Sequence, residues 1–289
     1  MTPPVLQALA RRAAHARDVW VPYIRRAALV AGLLPGHTDY TRFIILGRSR
    51  SGSNFLRSLL NAHSQVTVFG EIFQSARGQD VRSIAWALPG YSQSARVLAL
   101  FRSDPARFLE TQVFHRFPPS TRAVGFKIFY YHAHEPAWEP AWTYLRAHRE
   151  IHVIHIRRRN ILETHLSRKR AILSDQWVKT SRHDPDAPLP PILLDYEECL
   201  ADFVQTRAWE TEYDRLFADH PKIEVVYEDL AADYRAEIAR VQAFLEVDPE
   251  PVAPQTFKQS RQLLSQSIAN YAELKARFQG TPWAEFFTE

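Results

Sequence analysis

The segment Gly47-Arg48-Ser49-Arg50-Ser51-Gly52-Ser53-Asn54-Phe55 lies between the apolar run Phe43–Leu46 and a helical stripe of Leu56, Leu59 and Leu60. A strand, a tight Gly/Ser loop and a helix in that order turn several backbone N–H groups toward one anion, so the segment predicts a phosphate cradle. Gly47 and Gly52 have the spacing of a nucleoside-triphosphate P-loop, but Ser53 and Asn54 stand where that loop carries Lys and Ser/Thr. Without the lysine, a β/γ-phosphate pair with Mg²⁺ is poorly held. Arg50 instead sets a fixed cation beside the turn, which suits a nucleotide with a single 5′-phosphate group.

A second basic cluster follows the alternating segment His152–Arg157. Arg158, Arg159 and Asn160 lead into a helical pattern in which Asn160 and Glu163 have capping-box spacing and Ser167 lies further along. A guanidinium fork with a nearby hydroxyl is the donor set a second phosphate needs. Taken alone, these residues equally fit arginines that solvate a strand end and a serine that is simply a polar helix position.

Together the two clusters resemble the nucleotide site of sulfotransferases that use 3′-phosphoadenosine 5′-phosphosulfate (PAPS). Arg50, Ser51, Gly52, Ser53 and Leu56 match the family's 5′-phosphosulfate loop. Arg158 and Arg159 lie nine and eight residues before Ser167, the family's spacing for the 3′-phosphate ligands. Further stretches resemble its bacterial carbohydrate and glycolipid branch: Gly70–Phe73, Val124–Lys127, Tyr227–Leu230 with Phe244-Leu245, and Lys258-Gln259 with Ile268–Leu274. The resemblance covers about residues 42–289. It implies that Arg50, Ser51, Gly52, Ser53, Asn54 and Phe55 hold the 5′ end of PAPS, that Arg158 or Arg159 with Ser167 holds the 3′-phosphate, and that Lys258 belongs to a closing segment over the nucleotide. An Arg-x-Asn spelling in that branch favours Arg158.

In-line transfer of a sulfuryl group to an alcohol needs charge neutralisation at the leaving phosphate, expected from Arg50, and a base near the sulfur. The resemblance makes Glu71 that base, with His132 the rival, and places Lys127 either on a sulfuryl oxygen or at a strand end. Tyr227–Leu230 reads as structural. The expected activity is therefore PAPS-dependent sulfation of a carbohydrate or glycolipid hydroxyl. A P-loop nucleotide kinase and a non-catalytic nucleotide-binding scaffold are the alternatives.

These residues need a scaffold. Strand-like runs at Phe43–Leu46, Val66–Phe69, Val124–Phe129, His152–Ile156 and Ile223–Tyr227 alternate with helical patterns at Asn54–Asn61, Asn160–Leu173, Glu197–Ala218 and Tyr234–Leu245. That alternation predicts an α/β, P-loop-like three-layer sandwich with a central, mainly parallel sheet of about five strands flanked by helices. Residues 184–191 carry four prolines and read as a surface loop.

Residues 1–40 form a separate helical arm, Ala- and Arg-rich, broken at Pro22 and continuing from Ile24 to Leu34. Residues 41–289 form the sulfotransferase domain. The arm's apolar stretch is too short to span a bilayer. Its arginines would suit peripheral contact with an anionic membrane, against packing on the domain or on a homodimer partner.

The 289 residues are 46% hydrophobic and 24% charged, as in ordinary globular chains. Cys199 is the only cysteine and no His or Cys cluster has metal-ligand spacing, so neither a disulfide framework nor a metal is expected. That composition places the chain in the cytoplasm, at the inner face of the membrane where the arm engages it. The net charge is +4, and the basic residues are mostly Arg, whose planar fork suits phosphate and sulfate. The Arg clusters flank one strand–helix junction and form no extended basic face, so nucleic acid is not an expected partner. Tyr130, Tyr131, Phe73 and Gln176-Trp177 are the expected lining for a small-molecule or glycolipid acceptor. Arg and Ala richness fits a bacterial source.

Overall fold

The computed structural model describes residues 20–74, 94–174, 189–254 and 262–288. Strands β1 (Thr41–Gly47), β2 (Val66–Glu71), β3 (Ala123–Phe129), β4 (His152–Arg157) and β5 (Lys222–Val226) form one sheet in the order β2-β3-β1-β4-β5. The β2–β3 and β4–β5 pairs are parallel. β3 is buried along its whole length, as a strand covered on both faces must be, and it reads as a nearly continuous apolar run. The expected α/β architecture is present, with the sheet flanked by helices.

Residues 20–30 are helical (α1). The helices of six or more residues that follow are α2 (Ser53–Leu60), α3 (Ala95–Ser103), α4 (Glu139–Ala147), α5 (Ile161–Ser174), α6 (Tyr196–Leu216), α7 (Tyr227–Ala232), α8 (Tyr234–Phe244) and α9 (Tyr271–Phe278). The expected strand over Ile223–Tyr227 stops at Val226, because Tyr227 already opens α7.

The chain divides into two compact units. One comprises Met1–Ile44, Ser64–His152 and Leu245–Asp248, the other Ile45–His63, Val153–Phe244 and Pro249–Glu289. The first unit has an aromatic core in which Phe73 packs on Phe101, Trp138 and Phe126 at centroid distances of 5.7, 5.8 and 6.2 Å. Phe73 and Tyr130 are fully buried there, so both are core residues and not the acceptor lining the sequence led us to expect. Tyr131 is exposed, and Gln176-Trp177 lies outside the described residues.

Pro22 does not break the arm as expected. Among the described residues the helix is continuous from residue 20 through Pro22 to residue 30. α1 is held within the first unit by buried Leu29 and by a hydrogen bond from Arg26 to Gln112.

In the second unit, Leu162 and Leu166 of α5 and Phe203 of α6 share a core with Leu274, Phe278, Phe286 and Phe287 from the C-terminal stretch. Asn270 ties that stretch down by bonding both the carbonyl and the N–H of Leu194, at 2.9 and 3.2 Å. Lys258 and most of the proline-rich 184–191 segment lie outside the described residues.

Phe73 lies two residues beyond Glu71, so its packing fixes the end of β2. Phe73→Ala is expected to cost about 3–5 kcal/mol in urea unfolding. A loss below about 1 kcal/mol would mean that the aromatic cluster is not the unit's core.

Candidate active site

The loop between β1 and α2 is shaped by two glycines and one strained arginine. A Cβ on Gly47 would lie 2.6 Å from the carbonyl oxygen of Ile156, so only glycine lets the two strands approach there. Gly52 has φ 89°, and a Cβ on it would meet the ring of Tyr227 at 2.2 Å. Arg50 is left-handed, with φ 68°, a conformation costly for a residue with a side chain and typical of functional turns. α2 opens at Gly52 with no side-chain cap and no acid in its first turn, so its leading N–H groups face the loop as an anion cradle. The Ser51 hydroxyl donates to the carbonyl of Arg48 at 2.8 Å and so braces the turn. Phe55, at the start of α2, packs edge-on against Tyr234.

The second cluster is brought to this loop. Arg50 Nε donates to Ser167 Oγ at 2.8 Å, and Arg158 Nη1 lies 3.4 Å from the carbonyl oxygen of Arg50. Arg50, Arg158 and Ser167 therefore share one side of the second unit. Burial, with the neighbouring Arg158 charge, pushes Arg50 below its ordinary value. Two like charges held together in this way attract an anion.

Arg158 and Arg159, equivalent in the sequence, part here. Arg159 is 59% exposed and spends its fork on Asp229, at 2.8 and 2.5 Å. Arg158 is 9% exposed, lies over the Tyr227 ring at 4.6 Å and pairs with Glu163. Its buried Nε makes no hydrogen bond among the described residues.

The turn bearing these arginines is fixed by Glu228, whose carboxylate accepts from the N–H groups of Arg159 and Asn160 at 3.1 and 3.3 Å. Tyr227, Glu228 and Asp229 thus each support the site: one backs Arg158 and Gly52, one holds the turn, one occupies Arg159. Asn160 caps α5 by accepting from the Glu163 N–H at 3.2 Å. The reciprocal half of the expected capping box is absent, because Arg158 takes the Glu163 carboxylate.

In the first unit, Glu71 and Lys127 face each other across β2 and β3. The register shifts between Phe69 and Glu71, and this irregularity sets Glu71 opposite Lys127. Lys127 Nζ donates to Glu71 Oε1 at 2.8 Å, with the lysine fully buried and the Glu71 side chain 12% exposed. Glu71 is therefore not a free surface acid. His132 is buried between Phe129 and Tyr131, and its Nδ1 accepts from the Phe129 N–H at 3.2 Å. Burial lowers it to about 4, so it is neutral at pH 7 with its proton on Nε2. Among the described residues, no group of His, Cys, Asp and Glu is arranged to hold a metal ion.

A model of the sulfotransferase family matches residues 42–251. Nodulation protein H of Rhizobium meliloti strain 1021 is 29% identical over 255 residues, covering 85% of this chain and 94% of that protein. Nodulation protein H of Rhizobium tropici is 27% identical over 253 residues, covering 85% and 92%. Among solved structures, a sulfotransferase from Alicyclobacillus acidocaldarius aligns over 82% of this chain and 91% of its own at 16% identity, with a TM-score of 0.45.

His115 and His155 are, like His132, held down to about 4 chiefly by burial. Each binds its proton at about 6.5 once unfolded, so between pH 6.5 and 4 the unfolded chain carries more protons and stability rises with pH. Unfolding free energy should therefore fall as pH drops through that window, and less steeply in His132→Gln. Flat stability from pH 7 to 4 would show that these rings are not held neutral.

Proposed function

The chain belongs to the sulfotransferase family, and from that premise we propose that it moves a sulfuryl group from PAPS to a carbohydrate or glycolipid hydroxyl, with Glu71 as general base. The observation that carries the donor reading is the meeting of Arg50, Arg158 and Ser167 around one uncapped helix start. The residues present fit a nucleotide with phosphates at both ends. The loop amides and Arg50 suit the 5′ end, while Arg158, whose buried Nε lies 3.8 Å from Glu228 Oε1 without a hydrogen bond, and the Ser167 hydroxyl suit the 3′-phosphate.

The donor supplies an SO₃ unit whose S–O bond to the leaving phosphate breaks as the acceptor oxygen forms its own bond to sulfur. Arg50 and the first amides of α2 neutralise the charge that appears on that phosphate. Glu71 takes the proton of the attacking hydroxyl, and the hydrogen bond from Lys127 holds the carboxylate in place. His132 is less suited to the task, because its Nδ1 lone pair is engaged and its basicity is low. The exposed ring of Tyr131, at the end of β3, offers a sugar face a stacking surface.

No helix among the described residues is long and apolar enough to cross a membrane. Contact of the arm with the inner face of a membrane is supported by the exposed Trp20, Val21 and Ile24 of α1, which lie close to Arg25.

Glu71→Gln is expected to cut sulfate transfer from labelled PAPS by about 10²–10⁴ while adenosine 3′,5′-bisphosphate still binds. Turnover like that of the parent enzyme would remove Glu71 from the reaction. Arg158→Ala should weaken adenosine 3′,5′-bisphosphate by at least about tenfold more than adenosine 5′-monophosphate, whereas Arg159→Ala should affect both about equally. Calorimetric titration decides, and the reverse pattern would hand the 3′-phosphate to Arg159.

A further inference from the structure

We propose that Asp202 is a positioning residue that sets the two phosphate-binding segments of the donor site in register with each other. The inference rests on the donor reading above and adds a residue that neither cluster contains. Asp202 lies on α6, buried, and receives three cationic or imidazole partners. Arg48 Nη2 donates to its two oxygens at 3.1 and 3.2 Å, His165 Nδ1 lies 2.9 Å from Oδ2, and Arg168 Nη2 donates to Oδ1 at 3.2 Å.

Where those partners sit in the chain is the point. Arg48 is two residues before Arg50 on the loop, and His165 and Arg168 bracket Ser167 on α5. One carboxylate therefore holds side chains from both segments, right beside the two side chains that must face the same nucleotide. The consequence is visible in the 2.8 Å bond between Arg50 and Ser167. Arg48 Nη1 donates to the Thr206 hydroxyl, and that hydroxyl donates to the Asp202 carbonyl at 2.6 Å, which locks Arg48 on the same helix turn.

Burial alone would raise the Asp202 carboxyl. The His165 bond and the Arg48 and Arg168 charges outweigh it and hold the group at about 2, so it stays ionised at neutral pH. Two guanidinium groups against one carboxylate leave a positive surplus behind the loop, the sign a phosphate site needs. Both Asp202 oxygens are committed to side chains, so this group orients and does not react.

The test is the preference for adenosine 3′,5′-bisphosphate over adenosine 5′-monophosphate, titrated calorimetrically on folded protein well below its unfolding temperature. This ratio reads how well the two segments are aligned, and a role confined to stability would leave it unchanged. Asp202→Asn, equal in size but uncharged, is expected to lower the ratio about tenfold, the worth of about one charge-assisted hydrogen bond. Arg168→Gln removes only the partly exposed partner on α5 and should lower it by about threefold.

An unchanged ratio in folded Asp202→Asn overturns the proposal. Should that variant fail to fold, an unchanged ratio in Arg168→Gln overturns it equally. A parent enzyme with no preference for the bisphosphate would instead sink the donor reading itself, so the two failures are told apart.

Discussion

The Arg158 guanidinium meets the backbone carbonyl of Arg50, close enough for the two charges to act on each other, although like charges in a buried site repel. Everything around them offsets that repulsion without cancelling it. The Tyr227 ring lies under Arg158 and against Gly52, Glu163 takes one edge of Arg158, and Ser167 gives Arg50 a neutral oxygen. The loop itself needs left-handed backbone at both Arg50 and Gly52. In the proposed reading, an anion with phosphate at each end lies against both guanidinium groups.

Two carboxylates nearby serve more than one partner. Glu228 satisfies two backbone N–H groups at the β4–α5 turn, and Asp202 gathers a loop arginine and two residues of α5. In the first unit, Glu71 accepts a hydrogen bond from the fully buried Lys127 ammonium. Breaking a buried pair leaves an uncompensated charge, so such groups fix geometry more firmly than surface ion pairs do. In a sulfotransferase this firmness has a use, since transfer depends on holding donor and acceptor in line.

Much of this was legible in the chain itself. All five strands fall within a residue or two of their expected limits, because each is a short apolar run bounded by loop residues. The β1 loop and the Arg158–Ser167 segment were recognisable because their residues are local in sequence. What stayed hidden depends on contacts across long separations. Gly52 and Tyr227 meet only after folding, so nothing in Tyr-Glu-Asp-Leu reveals that it braces the loop. Arg158 and Arg159 look alike until Asp229 claims one of them. Phe73 and Tyr130 carry no mark separating a core aromatic from a sugar-facing one, and Asp202 is one acid among several on a long helix.

The most direct measurement is a crystal structure of the protein with adenosine 3′,5′-bisphosphate. The account predicts the 5′-phosphate on the amides of Ser53–Phe55, and the 3′-phosphate bonded to the Arg158 fork and the Ser167 hydroxyl, with the Arg50–Ser167 hydrogen bond replaced. A nucleotide bound with either phosphate away from these groups, or no binding at all, would contradict it.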